Sequence, residues 1–208
     1  MNSLQDNKIT GTLKRLHKEA RGDGTRWDRD PTTNSNDLIR MGSIYLSISE
    51  QEGTLLYLLA RSCRARCIVE FGASYGVSSI YLAAAARDND GTLTTTEVHP
   101  QKCAALQDSF AQAGLADRIT LLEGDARETL TGVQGPVDFL FLDGWKSMYL
   151  PVFEILKPVL APGVMIVADN ITHPAARNYL AAIRAPDSGF VSATVDKQEI
   201  SIKVESEK

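Results

Sequence analysis

Long apolar runs are missing from this chain. Although 43% of its 208 residues are hydrophobic, no stretch approaches the roughly 20 apolar residues of a membrane span, and the polar start MNSLQDNK lacks the apolar centre of a secretion signal. The expectation is a cytoplasmic protein that neither enters a membrane nor carries a targeting segment. Cysteine is scarce too: Cys63, Cys67 and Cys103 are odd in number and lack metal-site spacing, which excludes a disulfide framework and a zinc finger and leaves reduced, partly buried thiols. No charge of one sign dominates, with 22 Lys and Arg against 26 Asp and Glu. The one basic cluster, Lys14–Arg21, is interleaved with Leu13 and Leu16 and reads as a solvated helix face, so nucleic acid is not the expected partner. Repeats and low-complexity segments are absent. The three histidines, His17, His99 and His173, show no ligand spacing.

What is present centres on residues 67–79, CIVEFGASYGVSS. Ile68 and Val69 form an apolar run too short for a helix and bounded by turn residues, as in a buried strand. The chain then breaks at Gly72 and Gly76 and continues into the alanine-rich YLAAAAR. Strand, glycine turn and helix is how an open parallel sheet builds a ligand crevice. Gly72 allows a ligand closer than a Cβ would, and the free N–H groups at Val77–Ser79 suit an anion or a polar ligand edge. An ordinary strand-to-helix turn explains the same letters. What favours a nucleotide-like ligand is Glu97, which closes the next apparent strand, Thr92–Val98, where a carboxylate can accept from both ribose hydroxyls. The turn reads GASYG rather than G-x-G-x-x-G, which argues against a dinucleotide-dependent dehydrogenase. A cofactor-binding module without catalysis is the other alternative.

The length suits one α/β domain, here residues 37–208, preceded by a polar extension or lid over residues 1–36 with a short helix around Leu13–Ala20. Ser49 with Glu52 resembles a capping box and predicts a helix from near Glu50. Beyond the first strand the elements alternate. A helix begins near Pro100, a strand covers Ile119–Glu123 and another Val137–Leu142, a helix Leu150–Leu160, a strand Val164–Ala168 and a last helix Pro174–Arg184. Phe190–Val195 and Ile200–Val204 alternate with period two around Asp196–Lys197, as in an antiparallel hairpin. The fold class is therefore α/β: a doubly wound, Rossmann-like, mostly parallel sheet of seven strands with helices on both faces and an antiparallel C-terminal hairpin.

Ligands of such sheets gather at the carboxyl ends of the strands. There stand Glu70, Gly72 and Ser78, then Glu97, then Asp125 and Ala126, then Asp143, Trp145 and Lys146, then Asp169 and Asn170. Asp143, Asp169 and Asn170 offer three hard oxygen donors of the kind that suit Mg²⁺ or Ca²⁺; the alternative is that each caps a following helix. Lys146 is a cation at the start of a helix, an unfavourable position without a further reason.

Four segments, VEFGASYGVSS, TTTEVHP, LDGWKSMYLP and VADNITHP, resemble the metal-dependent, S-adenosylmethionine-using O-methyltransferases, with catechol O-methyltransferase as the nearest likeness, over about Ile48 to Phe190. The resemblance implies that Glu70, Gly72 and Ser78 line the methionine part of the cofactor and that Ile48 contacts it through the backbone. It implies that Glu97 holds the ribose, that Ala126 and Trp145 border the adenine and that Asp143 too belongs to the cofactor site. Asp143, Asp169 and Asn170 would bind Mg²⁺, Lys146 would be the base, and Trp145, Asn170 and Pro174 would meet the substrate, a catechol or another hydroxylated small molecule. The protein would act as a monomer or homodimer. Two departures stand out: Gly144 replaces the family's histidine before the tryptophan, and the loop bearing the family's substrate-gripping glutamate is shortened to Asp196–Glu199, leaving either acid as a candidate replacement.

Overall fold

A computed structural model of the chain describes residues 2–23 and 40–204, so most of the Asn- and Asp-rich stretch expected as loop or lid, residues 24–39, lies outside the described residues. The strands are β1 (Cys67–Phe71), β2 (Thr92–Glu97), β3 (Ile119–Glu123), β4 (Val137–Leu142), β5 (Leu160–Ala168), β6 (Phe190–Val195) and β7 (Gln198–Lys203). They form one sheet in the order β3-β2-β1-β4-β5-β7-β6, with β7 antiparallel to both neighbours and the pairs among β1 to β5 parallel. The order reverses between β1 and β4, which opens a crevice at their carboxyl ends.

Among the described residues the α-helices are α1 (Asn7–Ala20), α2 (Glu50–Ser62), α3 (Val77–Asp88), α4 (Pro100–Ala113), α5 (Ala126–Thr129), α6 (Tyr149–Leu156) and α7 (Arg177–Ile183). Side chains alternate along each strand, so the sheet has two apolar faces. One face carries Ile68, Leu93, Phe139 and Phe141 into a cluster with α1 to α4. The other carries Val69, Leu140, Leu142 and Ile166 against α6 and α7. In α3, residues Ala83 to Ala86 are all wholly buried, and their small size lets the helix lie close between the sheet and α2. A Cβ on Gly53 of α2 would stand 2.2 Å from the Tyr81 ring, so the helix-weakening glycine is what admits that ring.

Several boundaries differ from the expectations. The first helix starts at Asn7, six residues before Leu13, because the Asp6 carboxylate caps it by accepting from Lys8 N at 2.8 Å and because Ile9, Leu13 and Leu16 share a buried stripe. It packs on α3 and α4. The helix expected to run to Leu160 ends at Leu156: Pro158 cannot donate to the helix ladder, a short 3-10 turn follows, and β5 starts at Leu160 with a register shift opposite Val137/Phe139. Pro174–Ala176 is a 3-10 turn before α7 rather than its first α-helical turn. The hairpin turns at Asp196, whose φ of 54° is left-handed, and β7 begins two residues before Ile200. Ser49 and Glu52 form the expected capping box.

Candidate active site

Gly72 and Gly144 meet at the point where the strand order reverses. Gly72 has a φ of 98°, and a Cβ on it would lie 2.7 Å from Gly144 Cα; a Cβ on Gly144 would strike the Phe71 ring at 2.4 Å. This close backbone approach gives a physical reason for glycine, rather than a bulky side chain, at position 144. The loops around the two glycines enclose a cavity of about 690 Å³ lined by Ile48, Gly72, Ser78, Glu97, Asp143, Trp145, Lys146 and Asn170 among others. That volume is in the usual range for a small-molecule site.

One end of the cavity is built around Glu97. Its Oε2 accepts from Ser74 N at 2.8 Å, and its Oε1 accepts from Val98 N at 2.9 Å and His99 N at 2.8 Å, so three amides fix the carboxylate at the tip of β2. Tyr45 and Tyr75 stack beside it with ring centroids 4.1 Å apart. Tyr75 Oη donates to Gly42 O at 2.6 Å and Ser74 Oγ to Tyr45 O at 2.6 Å, tying the glycine turn to the segment before Ile48. Lys102, only 4% exposed, completes this wall and places its Nζ 2.9 Å from Ser74 Oγ. Sequence reasoning missed Tyr45, Ser74, Tyr75 and Lys102. Ser74 and Tyr75 lie inside the GASYG turn that the sequence singled out, and Lys102 stands on the first turn of the helix after Glu97; Tyr45 carried no signal.

The other end carries Asp143, Trp145, Lys146 and Asn170. Asp143 Oδ1 accepts from Lys146 Nζ at 2.9 Å, with the two side chains 11% and 15% exposed. Burial pushes the Asp143 carboxyl up to about 7, against the opposing pull of Lys146. Asp169 is raised as well, first by burial, with Lys197 pulling it down from 3.8 Å. Its Oδ1 is buried without a hydrogen-bond partner among the described residues. Asn170 takes the left-handed region at φ 52° and turns onto the cavity wall. Among the described residues no three His, Cys, Asp or Glu side chains gather into a metal cluster. The set is two carboxylates and an amide, and two buried carboxylates with one orphaned oxygen are the donor chemistry a hard divalent cation satisfies.

Four of the expected site residues do not line the cavity. Glu70 shares the α3 face of β1 with Ile68, is wholly buried, and accepts on Oε2 from Ser79 Oγ and from Thr95 Oγ1 at 2.6 Å, beneath the floor rather than on it. Ala126 opens α5, capped by Asp125, and packs with the α6 side of the core. Asp169 lies under the wall that Asn170 forms, and Pro174 is exposed between His173 and Ala175, which do line it. Neither candidate for the substrate-gripping acid reaches the cavity. Glu199 is 1% exposed on the α7 face, paired with Arg184 at 2.5 and 2.7 Å and accepting from Thr194 Oγ1, while Asp196 is exposed at the hairpin turn.

The crevice, the glycine turn and the acidic end of β2 are those of a Rossmann-like fold, and residues 69–171 match the family profile of a methyltransferase domain. The chain is 35% identical over 141 residues to a catechol O-methyltransferase of Niastella koreensis, covering 66% of this chain and 63% of the relative. It is 33% identical over 127 residues to a catechol O-methyltransferase of Mycobacterium tuberculosis, covering 61% and 57%. Both matches thus span less than two thirds of the relative's length. Among solved structures, the O-methyltransferase TomG of Streptomyces achromogenes, involved in tomaymycin synthesis and solved in complex with S-adenosylmethionine, superposes with a TM-score of 0.72 at 25% identity over 91% of this chain and 89% of that one. The chain thus resembles the S-adenosylmethionine-dependent O-methyltransferases, the catechol O-methyltransferases among them.

Proposed function

We propose that the protein transfers the methyl group of S-adenosylmethionine to a hydroxyl of a small molecule, a catechol in the first instance, with a divalent cation such as Mg²⁺ in the site. The observation that carries this reading is that one cavity joins the Glu97 wall to the Asp143–Lys146 pair. Gly72 and Ser78 border the space for the cofactor's methionine part, Ile48 offers backbone to it, Glu97 receives the ribose and Trp145 borders the adenine. Glu70 acts from beneath, holding Ser79 on the first turn of α3.

Asp143, Asp169 and Asn170 would hold the cation, whose charge favours ionisation of a hydroxyl that otherwise has a pKa near 10. Lys146 takes the hydroxyl proton on Nζ, and Asp143, 2.9 Å away, stabilises the ammonium that results. The hydroxyl oxygen bonds to the methyl carbon as the carbon–sulfur bond breaks, and sulfur keeps the electron pair as a neutral thioether. The chain's remaining task is alignment, which Trp145 and the residues around Asn170 serve by confining the acceptor.

A second reading keeps the reaction and changes the acceptor. Because Arg184 holds Glu199 away from the cavity, no carboxylate at that position grips a second hydroxyl, which favours a non-catechol hydroxyl of a natural-product intermediate. Calorimetry with S-adenosylmethionine and with NAD, followed by mass spectrometry of a panel of catechols and single-hydroxyl compounds incubated with the cofactor and Mg²⁺, tests both. Binding of NAD in place of S-adenosylmethionine would overturn the reaction. Methylation of single hydroxyls alone would select the second reading.

A further inference from the structure

Lys102 is a buried cation with no carboxylate in ion-pair distance among the described residues. It stands in the first turn of α4, where the helix dipole disfavours positive charge, and it is 4% exposed. Its partners are Ser74 Oγ at 2.9 Å and the face of the Tyr75 ring, 5.6 Å from Nζ to centroid. Burial lowers its pKa, with the fields of Glu97 and Asp23 acting the other way. An ammonium has three donors, and a buried charge left this poorly satisfied is costly unless something else completes it. Lys102 lines the cavity, so that completion can come from a bound molecule.

The position of the group narrows what that molecule offers. Ser74 joins Lys102 to Glu97: its Oγ accepts from the lysine while its backbone N donates to Glu97 Oε2 at 2.8 Å. A fixed acceptor, Glu97, and a fixed donor, Lys102, therefore face the same end of one cavity from adjacent turns of chain. A hydroxyl is the group that answers both at once, since it donates one hydrogen and accepts on its oxygen. Resting on the cofactor reading above, we propose that Lys102 is a ribose-binding residue, whose ammonium donates to the oxygen of a ribose hydroxyl that itself donates to Glu97. Charged donor and charged acceptor together then read the sugar diol, and a cofactor lacking it loses both contacts.

The test is a cycle between protein and ligand, read by calorimetry. S-adenosylhomocysteine and its 2′,3′-dideoxy analogue are titrated into the wild type and into Lys102→Met, which keeps the length of the side chain and removes its charge. Lys102→Met should bind S-adenosylhomocysteine about tenfold to a hundredfold more weakly, as expected for losing a hydrogen bond from a charged donor, and should bind the dideoxy analogue as well as the wild type does. An equal loss for both ligands would make Lys102 a brace for Ser74 and overturn the proposal, as would no loss at all. Lys102→Gln, a neutral donor, repeats the cycle should the methionine variant not fold, and the same two outcomes decide it. Failure of the wild type to bind either ligand would bring down the cofactor reading together with this proposal, whereas wild-type binding with an unaltered variant overturns the proposal alone.

Discussion

Lys146 Nζ stands 2.9 Å from Asp143 Oδ1, and both side chains are largely withdrawn from solvent. If Lys146 is the base, Lys146→Ala should lower kcat by ~10²–10⁴-fold with cofactor affinity nearly intact, because proton transfer acts in the transition state. Lys146→Arg should not restore turnover: it keeps a charge beside Asp143 but cannot accept a proton. The deficit should shrink as pH rises and more of the acceptor ionises unaided. Near-normal kcat in the arginine variant would reduce the role of this position to charge.

Glu97 is held by three backbone amides, so its carboxylate is already oriented before any ligand arrives. Glu97→Ala should cost roughly 1.5–3 kcal/mol of S-adenosylhomocysteine binding by calorimetry, the usual worth of hydrogen bonds to a charged group. An unchanged dissociation constant would remove it from the site.

Asp169 has a buried Oδ1 with no hydrogen-bond partner among the described residues. A divalent cation should bind the isolated protein, measurable with Mn²⁺ by electron paramagnetic resonance, and Asp169→Ala should weaken that binding at least tenfold while activity becomes sensitive to EDTA at lower chelator concentration. Full turnover in excess EDTA would exclude the cation.

Glu199 should matter for the fold and not for the acceptor. Glu199→Ala breaks its pairing with half-exposed Arg184 and the contact from Thr194, and should lower unfolding stability by about 1–3 kcal/mol in urea while leaving KM for the hydroxyl substrate within a factor of two or so. A large rise in KM without loss of stability would return Glu199 to the site.

His17 is 8% exposed beside Tyr81, and burial pushes its pKa below 6.5, with Arg21 adding to the effect and Glu50 opposing it. The unfolded chain therefore binds the proton first as pH falls. The contribution of His17 to stability is full above about 6.5 and is lost as pH drops through the lowered folded value. Urea unfolding between pH 7.5 and 5 should show a drop in the wild type that His17→Gln lacks; parallel curves would refute it.

Much of the sheet was legible because its strands are short apolar runs whose meaning is local. CIVEF, VDFLFL and VMIVA can be buried only in a sheet covered on both faces, and the glycines after β1 mark its turn. The helix from Glu50 was legible through its capping box. The true start of α1 was not, because Gly11 and the threonines around it weaken the helical signal that burial of Ile9 then overrides.

By itself the sequence determined the order of elements and the residues standing at the strand ends, since periodicity and turn chemistry act over a few neighbours. Only the tertiary structure decided which of those residues share a cavity. Glu70 and Glu199 sit at strand ends as Glu97 and Asp143 do, yet Glu70 turns beneath the floor to Ser79 and Thr95, and Arg184 holds Glu199 on the opposite face. Lys102, marked in the sequence only by its place on the first turn after Glu97, meets Ser74, 28 positions away, at the cavity wall. The reason is physical: what a buried polar group faces is set by the packing of distant segments rather than by nearby sequence.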